Sequence, residues 1–247
     1  MEKDIEIREC LTFEELAACV DLQREVFALP EIELSPVRHF VVTKNAGGFA
    51  LGAYSDKELV GFVLSVPAFL RGERAFYSHM TAVRKDFQSF GVGGRLKWAQ
   101  RTRALELGVK FVKWTFEPAK ARNAYFNLEK LGAIITEYQP NFYGTDYAQE
   151  NDEKIGLASD RLFAEWHLES EKVNNLSFGQ QFDDKRIADA EIVIPTDWLG
   201  LVADDADAAI AELARIRAEF EQAFAAGMIA RRFLRDENRP KYLLYSD

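Results

Sequence analysis

The stretch from Phe76 to Gly108 constrains this chain most. Phe76 to Val83 is mostly β-branched, aromatic or apolar and suits a half-buried strand. Leu96, Ala99, Gln100, Ala104 and Leu107 then recur at helical spacing, and Gly108 stops the run. Between strand and helix stands Gln88-Ser89-Phe90-Gly91-Val92-Gly93, with Gly94 and Arg95 following. Glycines at such a turn let backbone N–H groups approach a ligand with no Cβ in the way. The helix start adds unsatisfied N–H groups and the positive end of its dipole. Together they predict a site for a phosphate or pyrophosphate. A purely structural helix start would more readily use Ser, Asp or Pro, since an interior glycine costs roughly 1 kcal/mol relative to Ala.

Three kinds of glycine loop compete for this pattern. A P-loop ends in Gly-Lys-Ser/Thr, whereas this loop ends Gly93-Gly94-Arg95. A dinucleotide fingerprint puts its first glycine almost directly after the strand. Here Arg84 to Phe90 intervene, and Leu96 occupies the third glycine position. The third pattern is Gln-x-x-Gly-x-Gly after an apolar strand ending in Ala82-Val83, with Gln88, Gly91 and Gly93 in register. It resembles the acyl-CoA-binding motif of the GCN5-related N-acetyltransferases (GNAT). The resemblance implies that backbone amides of this loop hold the pyrophosphate of coenzyme A. It also implies an α/β GNAT-like acyl-CoA N-acyltransferase fold, a mixed central sheet flanked by helices.

The rest of the chain fits an α/β reading. Ile5 to Glu9 alternates like an edge strand, and Thr12 with Glu15 forms a capping box for a helix to about Phe27. Ser35-Pro36 predicts a second, short helix capped by Ser35. Phe49 to Tyr54 and Leu59 to Val66 are strand patterns around a polar turn, and Pro67 is expected to end the second. Val109 to Phe116 reads as a strand, Ala119 to Leu131 as a helix stopped by Gly132, and Ala133 to Tyr138 as a strand. A long connection includes the acidic stretch Gln149 to Lys154, and Ser159 to Leu168 alternates like a strand. Val173 to Asp189 reads as irregular, Ala190 to Pro195 as a short apolar run, and Asp204 to Ala226 as one long helix. Met228 to Leu234 and Tyr242 to Tyr245 read as a closing strand pair.

The resemblance covers roughly residues 5 to 147. Arg122 to Asn127, Asn141 to Gly144, Asp160 to Leu162 and Glu165-Trp166 resemble, more narrowly, a branch of the family with a C-terminal extension. The expected organisation is therefore an acyl-CoA-binding domain over 1–147 and an α+β extension over 148–247 packed on the same unit. One departure stands out. The family's second half carries Tyr-x-Lys-x-Gly-Phe, and this chain has Leu128 at the Tyr position and Ala133 at the Phe position.

Charge and cysteine usage bound the partners. A formal net charge of −9 without a basic tract disfavours nucleic acid and anionic membranes. No apolar run approaches the ~20 residues that span a bilayer, and the charged start Met1-Glu2-Lys3-Asp4 lacks a signal-peptide core. Cys10, Cys19 and three scattered histidines show no metal spacing, so no metal is expected and the expected compartment is the cytoplasm.

Acyl transfer from a thioester to an amine needs a polarised carbonyl, a deprotonated amine and a stabilised thiolate. The resemblance gives the donor, acetyl-CoA or another acyl-CoA, to Thr81, Ala82, Val83, Gln88, Ser89, Phe90, Gly91, Val92, Gly93, Gly94 and Arg95. It gives Asn123 a hydrogen bond to the pantetheine arm. His79 is the first candidate base: it lies four residues before Val83, where the resemblance to the arylalkylamine branch of the family places a base histidine, and an imidazole titrating near 6.5 suits proton removal near neutral pH. Glu117 is the second; as a plain structural residue it would simply favour a helix N-terminus. Tyr125, three residues before Leu128, is the candidate acid, with Tyr77 as another. Arg122, Arg161 and Tyr143 are candidates to meet an acceptor carboxylate. The expected activity is direct transfer in a ternary complex to a small primary amine, such as an amino acid. The rival reading is a non-catalytic acyl-CoA sensor on the same scaffold, which Leu128 favours and His79 opposes. The C-terminal helix either covers the site or makes a homodimer.

Overall fold

The computed structural model describes residues 4–27, 29–147, 154–182 and 184–246, and the Ser89 side chain is not among what it describes. The acidic connection from Gln149 therefore falls, up to residue 153, outside the described residues. The chain forms two compact units, Met1–Lys113 and Trp114–Asp247.

In the first unit, β1 (Glu6–Glu9), β2 (Phe49–Ser55), β3 (Glu58–Leu70) and β4 (Glu73–Val83) form an antiparallel sheet in chain order. β5 (Phe111–Phe116) then pairs with β4 in parallel at Phe76↔Val112 and Tyr77↔Lys113. Helix α1 (Phe13–Phe27) starts at the expected box: Thr12 Oγ1 accepts from Glu15 N at 3.2 Å, and Glu15 Oε2 accepts from Thr12 N at 3.0 Å. Leu16, Cys19 and Leu22 of α1 and Phe40 of α2 (Val37–Asn45) pack on Phe62 and Leu64 of β3. Gly61, one residue from Phe62, faces the opposite layer. A Cβ there would lie 3.1 Å from Ala82 O and 3.2 Å from Leu96 Cδ1, so glycine lets α3 (Val92–Glu106) settle close on the sheet. The two cysteines are free and buried, with 3.9 Å between their sulfurs.

The second unit has its own antiparallel set, β7 (Arg161–His167), β6 (Ile134–Gln139), β9 (Met228–Leu234), β10 (Lys241–Ser246) and β8 (Ala190–Val193), neighbours in that order. The short α4 (Ala121–Tyr125) runs into a π-helical turn, Phe126–Lys130, and Gly132 follows at φ +77°. Of the face that the spacing predicts for α7 (Ala206–Ala225), Ala209, Leu213, Ile216 and Phe220 are buried and Phe224 is half-buried. A polar knot lies beneath it. Asp160 accepts from Arg217 Nε at 2.8 Å and Nη2 at 2.7 Å, from Tyr138 OH at 2.6 Å and from Asn141 N at 2.9 Å. No helix among the described residues is long and apolar enough to cross a membrane.

Five local expectations are corrected. β3 does not end at Pro67 but runs on to Leu70, with Pro67 opposite Phe76. Its ladder to β2 ends at Phe49↔Ser65, so the missing N–H of Pro67 falls on an edge where no bond is lost. Helix α3 begins at Val92 rather than Leu96, so Gly93 and Gly94 lie inside its first turn. Val173 to Asp189 is not all irregular: α5 (Glu171–Ser177) is capped by Ser170 Oγ, which accepts from Val173 N. The long C-terminal helix is two, α6 (Trp198–Asp204) and α7, because Asp205 leaves helical geometry and its carboxylate caps Ala208 N at 2.9 Å. The fifth concerns Ser35, which lies at the functional site.

Candidate active site

The glycine turn has the geometry that the sequence predicts. Lys85–Phe90 forms a 3-10 turn, and Gln88 Nε2 donates to Val83 O at 3.0 Å, tying the loop to the end of β4. Gly91 has φ +71°, a left-handed conformation that side chains disfavour, and a Cβ added there would meet nothing within 4 Å. No side chain caps α3. Arg95 N donates to Gly91 O at 3.1 Å, closing the first turn, and the first-turn N–H groups of Val92, Gly93 and Gly94 precede the helical ladder. Phe90 is 48% exposed beside them. The Arg95 guanidinium donates to Ile5 O. An open, glycine-lined, uncapped helix start fits the diphosphate of an acyl-CoA.

β4 supplies the second component. Its ladder with β5 comprises Phe76 and Tyr77, while the strand itself continues to Val83. Thr81, Ala82 and Val83 pair with Val63, Phe62 and Gly61 of β3. The far edge of that segment has the form that amide groups of an extended ligand pair with, like an added strand.

His79 sits at a fault in this strand. The β3–β4 register passes from Leu64↔Met80 to Ser65↔Ser78, so His79 is the extra residue of a β-bulge. Bulges re-aim a side chain. Ser78 faces α3, where its Oγ accepts from Lys97 Nζ at 3.0 Å and from Gln100 Nε2 at 3.1 Å. His79 faces the other way, and Met80 packs on the α1–α2 cluster. The His79 Nε2 lies 3.1 Å from Ser35 Oγ, and its ring meets His39 edge-on, with centroids 5.4 Å apart. Surrounding protein, and secondarily His39, lower the His79 pKa to about 4, but the side chain is exposed, and its contact with water works against so large a shift. Ser35 thus does not cap α2, as the sequence suggested. No side chain caps that helix, and the hydroxyl binds His79 instead.

Under the bulge, Lys97 is 3% exposed, and burial pushes its amine well below the usual lysine range. It also donates to Gln100 Oε1 at 2.8 Å, and Gln100 Nε2 donates to Ser65 Oγ at 2.7 Å. This polar set pins Ser78 and so the bulge. Ser35, His39 and Lys97 escape a motif search because they assemble only once the strand register is known. Gln23, buried on α1, is the one signal open to sequence reading, a polar residue at an inward helical position.

Tyr77, a further candidate acid, is half-buried on β4, and the other candidates lie in the second unit. Glu117 is paired with Lys120 at 2.7 Å. Tyr125 is half-buried, with Lys130 Nζ 5.5 Å and Arg235 Cζ 5.7 Å from its ring centroid. Asn123 and Arg122 are exposed, and Leu128 is fully buried. Arg161 donates to Asp160 O at 2.8 Å, and its guanidinium lies 5.1 Å from the Tyr143 ring and 5.9 Å from the Tyr147 ring. It has no carboxylate partner among the described residues.

Residues 13–133 match the sequence model of the Acetyltransferase (GNAT) family. No protein of curated function matches the chain. The fold is similar to that of the ribosomal-protein-S18-alanine N-acetyltransferase of Escherichia coli, with a TM-score of 0.51 and 14% identity over 74% of this chain and 99% of that one. It is also similar to yncA of Salmonella typhimurium, solved with its cofactor acetyl-CoA, at a TM-score of 0.53 and 14% identity over 68% and 95% of the two chains. Aminoglycoside 6'-acetyltransferase type Ii gives a TM-score of 0.51 and 18% identity, over 67% of this chain and 99% of its own.

Proposed function

This chain carries an acetyltransferase domain of the GNAT family, and from that premise we propose that it transfers the acyl group of acetyl-CoA to a small primary amine by direct attack in a ternary complex. The observation that carries this reading is the uncapped start of α3 behind Gly91, next to the end of β4. The donor supplies a thioester acyl group. First-turn amides of α3 hold its diphosphate, and the β4 edge from Thr81 to Val83 orients the acyl end. Free, buried Cys10 and Cys19 support a reducing, cytoplasmic setting. We assign residues 1–147 to the acyl-CoA-binding part and 148–247 to its extension.

His79 is the base. At neutral pH its lowered pKa keeps it unprotonated, so its lone pair is available to an ammonium proton. Tyr125 is the candidate acid for the thiolate, since Leu128 carries no proton. An acceptor with a carboxylate, such as an amino acid, is supported by Arg161, a fork-shaped cation with no acidic partner among the described residues.

The test is a screen of primary amines and amino acids with acetyl-CoA, run on the full chain and His79→Ala. The variant is expected to lose about 10²–10⁴-fold in kcat. The acidic limb of the wild-type pH profile should fall toward pH 4 rather than 6.5 and vanish in the variant. Wild-type turnover by His79→Ala would remove the base assignment. Absence of acetyl-CoA binding would remove the donor as well.

A further inference from the structure

The base is not a lone side chain, and its partner is held more firmly than chance packing requires. Gln23, 1% exposed on α1, spends both ends of its amide on the backbone of one residue. Its Oε1 accepts from Ser35 N at 2.8 Å, and its Nε2 donates to Ser35 O at 3.1 Å. Pro36 follows with φ −71°, so the chain leaves Ser35 in one direction. A serine just before a helix ordinarily turns its oxygen back to cap it. Here the hydroxyl is withdrawn from that task and stands 3.1 Å from His79 Nε2, its partner in the protein. The bulge at His79 is what brings the imidazole to it.

We propose that Ser35 carries the proton between the acceptor amine and His79. The inference rests on the base assignment above. The Ser35 O–H donates to Nε2, so the neutral ring bears its proton on Nδ1, and the basic lone pair is reached through Ser35. In the step, an N–H bond of the ammonium breaks as a new O–H bond forms at Ser35. The original Ser35 O–H bond breaks as the Nε2–H bond forms. The products are a neutral amine, an unchanged serine and an imidazolium; nothing is oxidised or reduced. His39, from α2, faces this relay, whereas Lys97 binds Ser78 on the α3 face of the strand. His39 and the surrounding protein work against a positive charge at His79, so the imidazolium is short-lived and readily returns its proton.

The experiment uses the full chain labelled with 15N-histidine, with and without acetyl-CoA, as wild type, Ser35→Ala and Ser35→Thr. Wild type and Ser35→Thr are expected to hold His79 as the Nδ1–H tautomer, and Ser35→Ala to lose that preference. An Nε2–H tautomer in wild type, or the same tautomer in all three, overturns the relay. Turnover is then compared on the best acceptor from the amine screen. Ser35→Ala should lose at least tenfold in kcat with an unchanged KM for acetyl-CoA, and Ser35→Thr should recover most of it. The dependence of rate on the deuterium content of the solvent should be curved in wild type, with two protons in flight, and linear in Ser35→Ala. Wild-type kcat in Ser35→Ala alongside an inactive His79→Ala overturns the relay and leaves the base standing. Wild-type kcat in His79→Ala removes both.

Discussion

Two glycines flank α3 with nearly the same backbone, and only one of them lines the proposed donor site. Gly91 has φ +71° and Gly108 φ +69°, and a Cβ at either would meet no atom of the protein within 4 Å. Alanine at each position therefore incurs the left-handed penalty, about 1–2 kcal/mol. Loss of freedom in the unfolded chain returns about 0.4–1 kcal/mol of that. The net destabilisation is about 1 kcal/mol for each variant, a drop of roughly 2–4 °C in melting temperature for a chain of this size. What separates them is the ligand. Acetyl-CoA at about 100 times its Kd should stabilise wild type and Gly108→Ala by about 2.7 kcal/mol. At Gly91 the new methyl group would intrude on the proposed diphosphate site. A tenfold loss of affinity there removes about 1.4 kcal/mol of that gain, and Gly91→Glu, with its added negative charge, should abolish it. The assay is thermal unfolding with and without acetyl-CoA, checked by calorimetric titration. Equal ligand-induced shifts in Gly91→Ala and Gly108→Ala would refute the reasoning, since the backbone cost is common to both.

Two further outcomes test the layers beneath the site. Lys97 has a lowered pKa, so between its folded value and the unfolded 10.5 the unfolded state binds more protons, and wild-type stability rises with pH. Relative to Lys97→Met, wild type should gain up to about 1.4 kcal/mol per pH unit in that window. Urea unfolding from neutral to alkaline pH measures it, and a pH-independent difference would argue against a buried neutral amine. In the second unit, Asp160→Ala strips the partner from Arg217 and Tyr138 and should cost about 3–5 kcal/mol. A loss under 1 kcal/mol in denaturant titration would mean that the knot contributes little to holding that unit.

The parts of the molecule legible in the sequence are those whose signal is local. Thr12 and Glu15 lie three residues apart and satisfy each other's backbone, so the start of α1 needs no tertiary knowledge. The glycine turn is legible for the same reason, as is the buried face of α7. Asp205 carried a readable signal that a longer apolar period obscured: it is a capping residue inside an otherwise continuous helical pattern. Pro67 was misread because a proline stops a strand only where its N–H would be needed, and that depends on where β2 ends. Ser35 was misread because two partners compete for one hydroxyl, a helix-start N–H that would donate to its oxygen and the His79 imidazole. The winner lies 44 residues away and is brought there by a bulge that no spacing rule announces.

The last strand has a consequence for how the protein is made. Tyr242 OH donates to Pro118 O at 2.7 Å, and its ring packs against Phe220 and Phe233 at 5.0 and 4.9 Å. The second unit is thus closed by a strand translated after the other elements of that unit, across a separation of 124 positions. During synthesis, the residues that build the glycine turn and its sheet have left the ribosome while those aromatic rings still await their covering strand. A ribosome that stops a few codons short of Tyr242 would release a chain whose first unit has every residue it needs, and whose second unit exposes its own core.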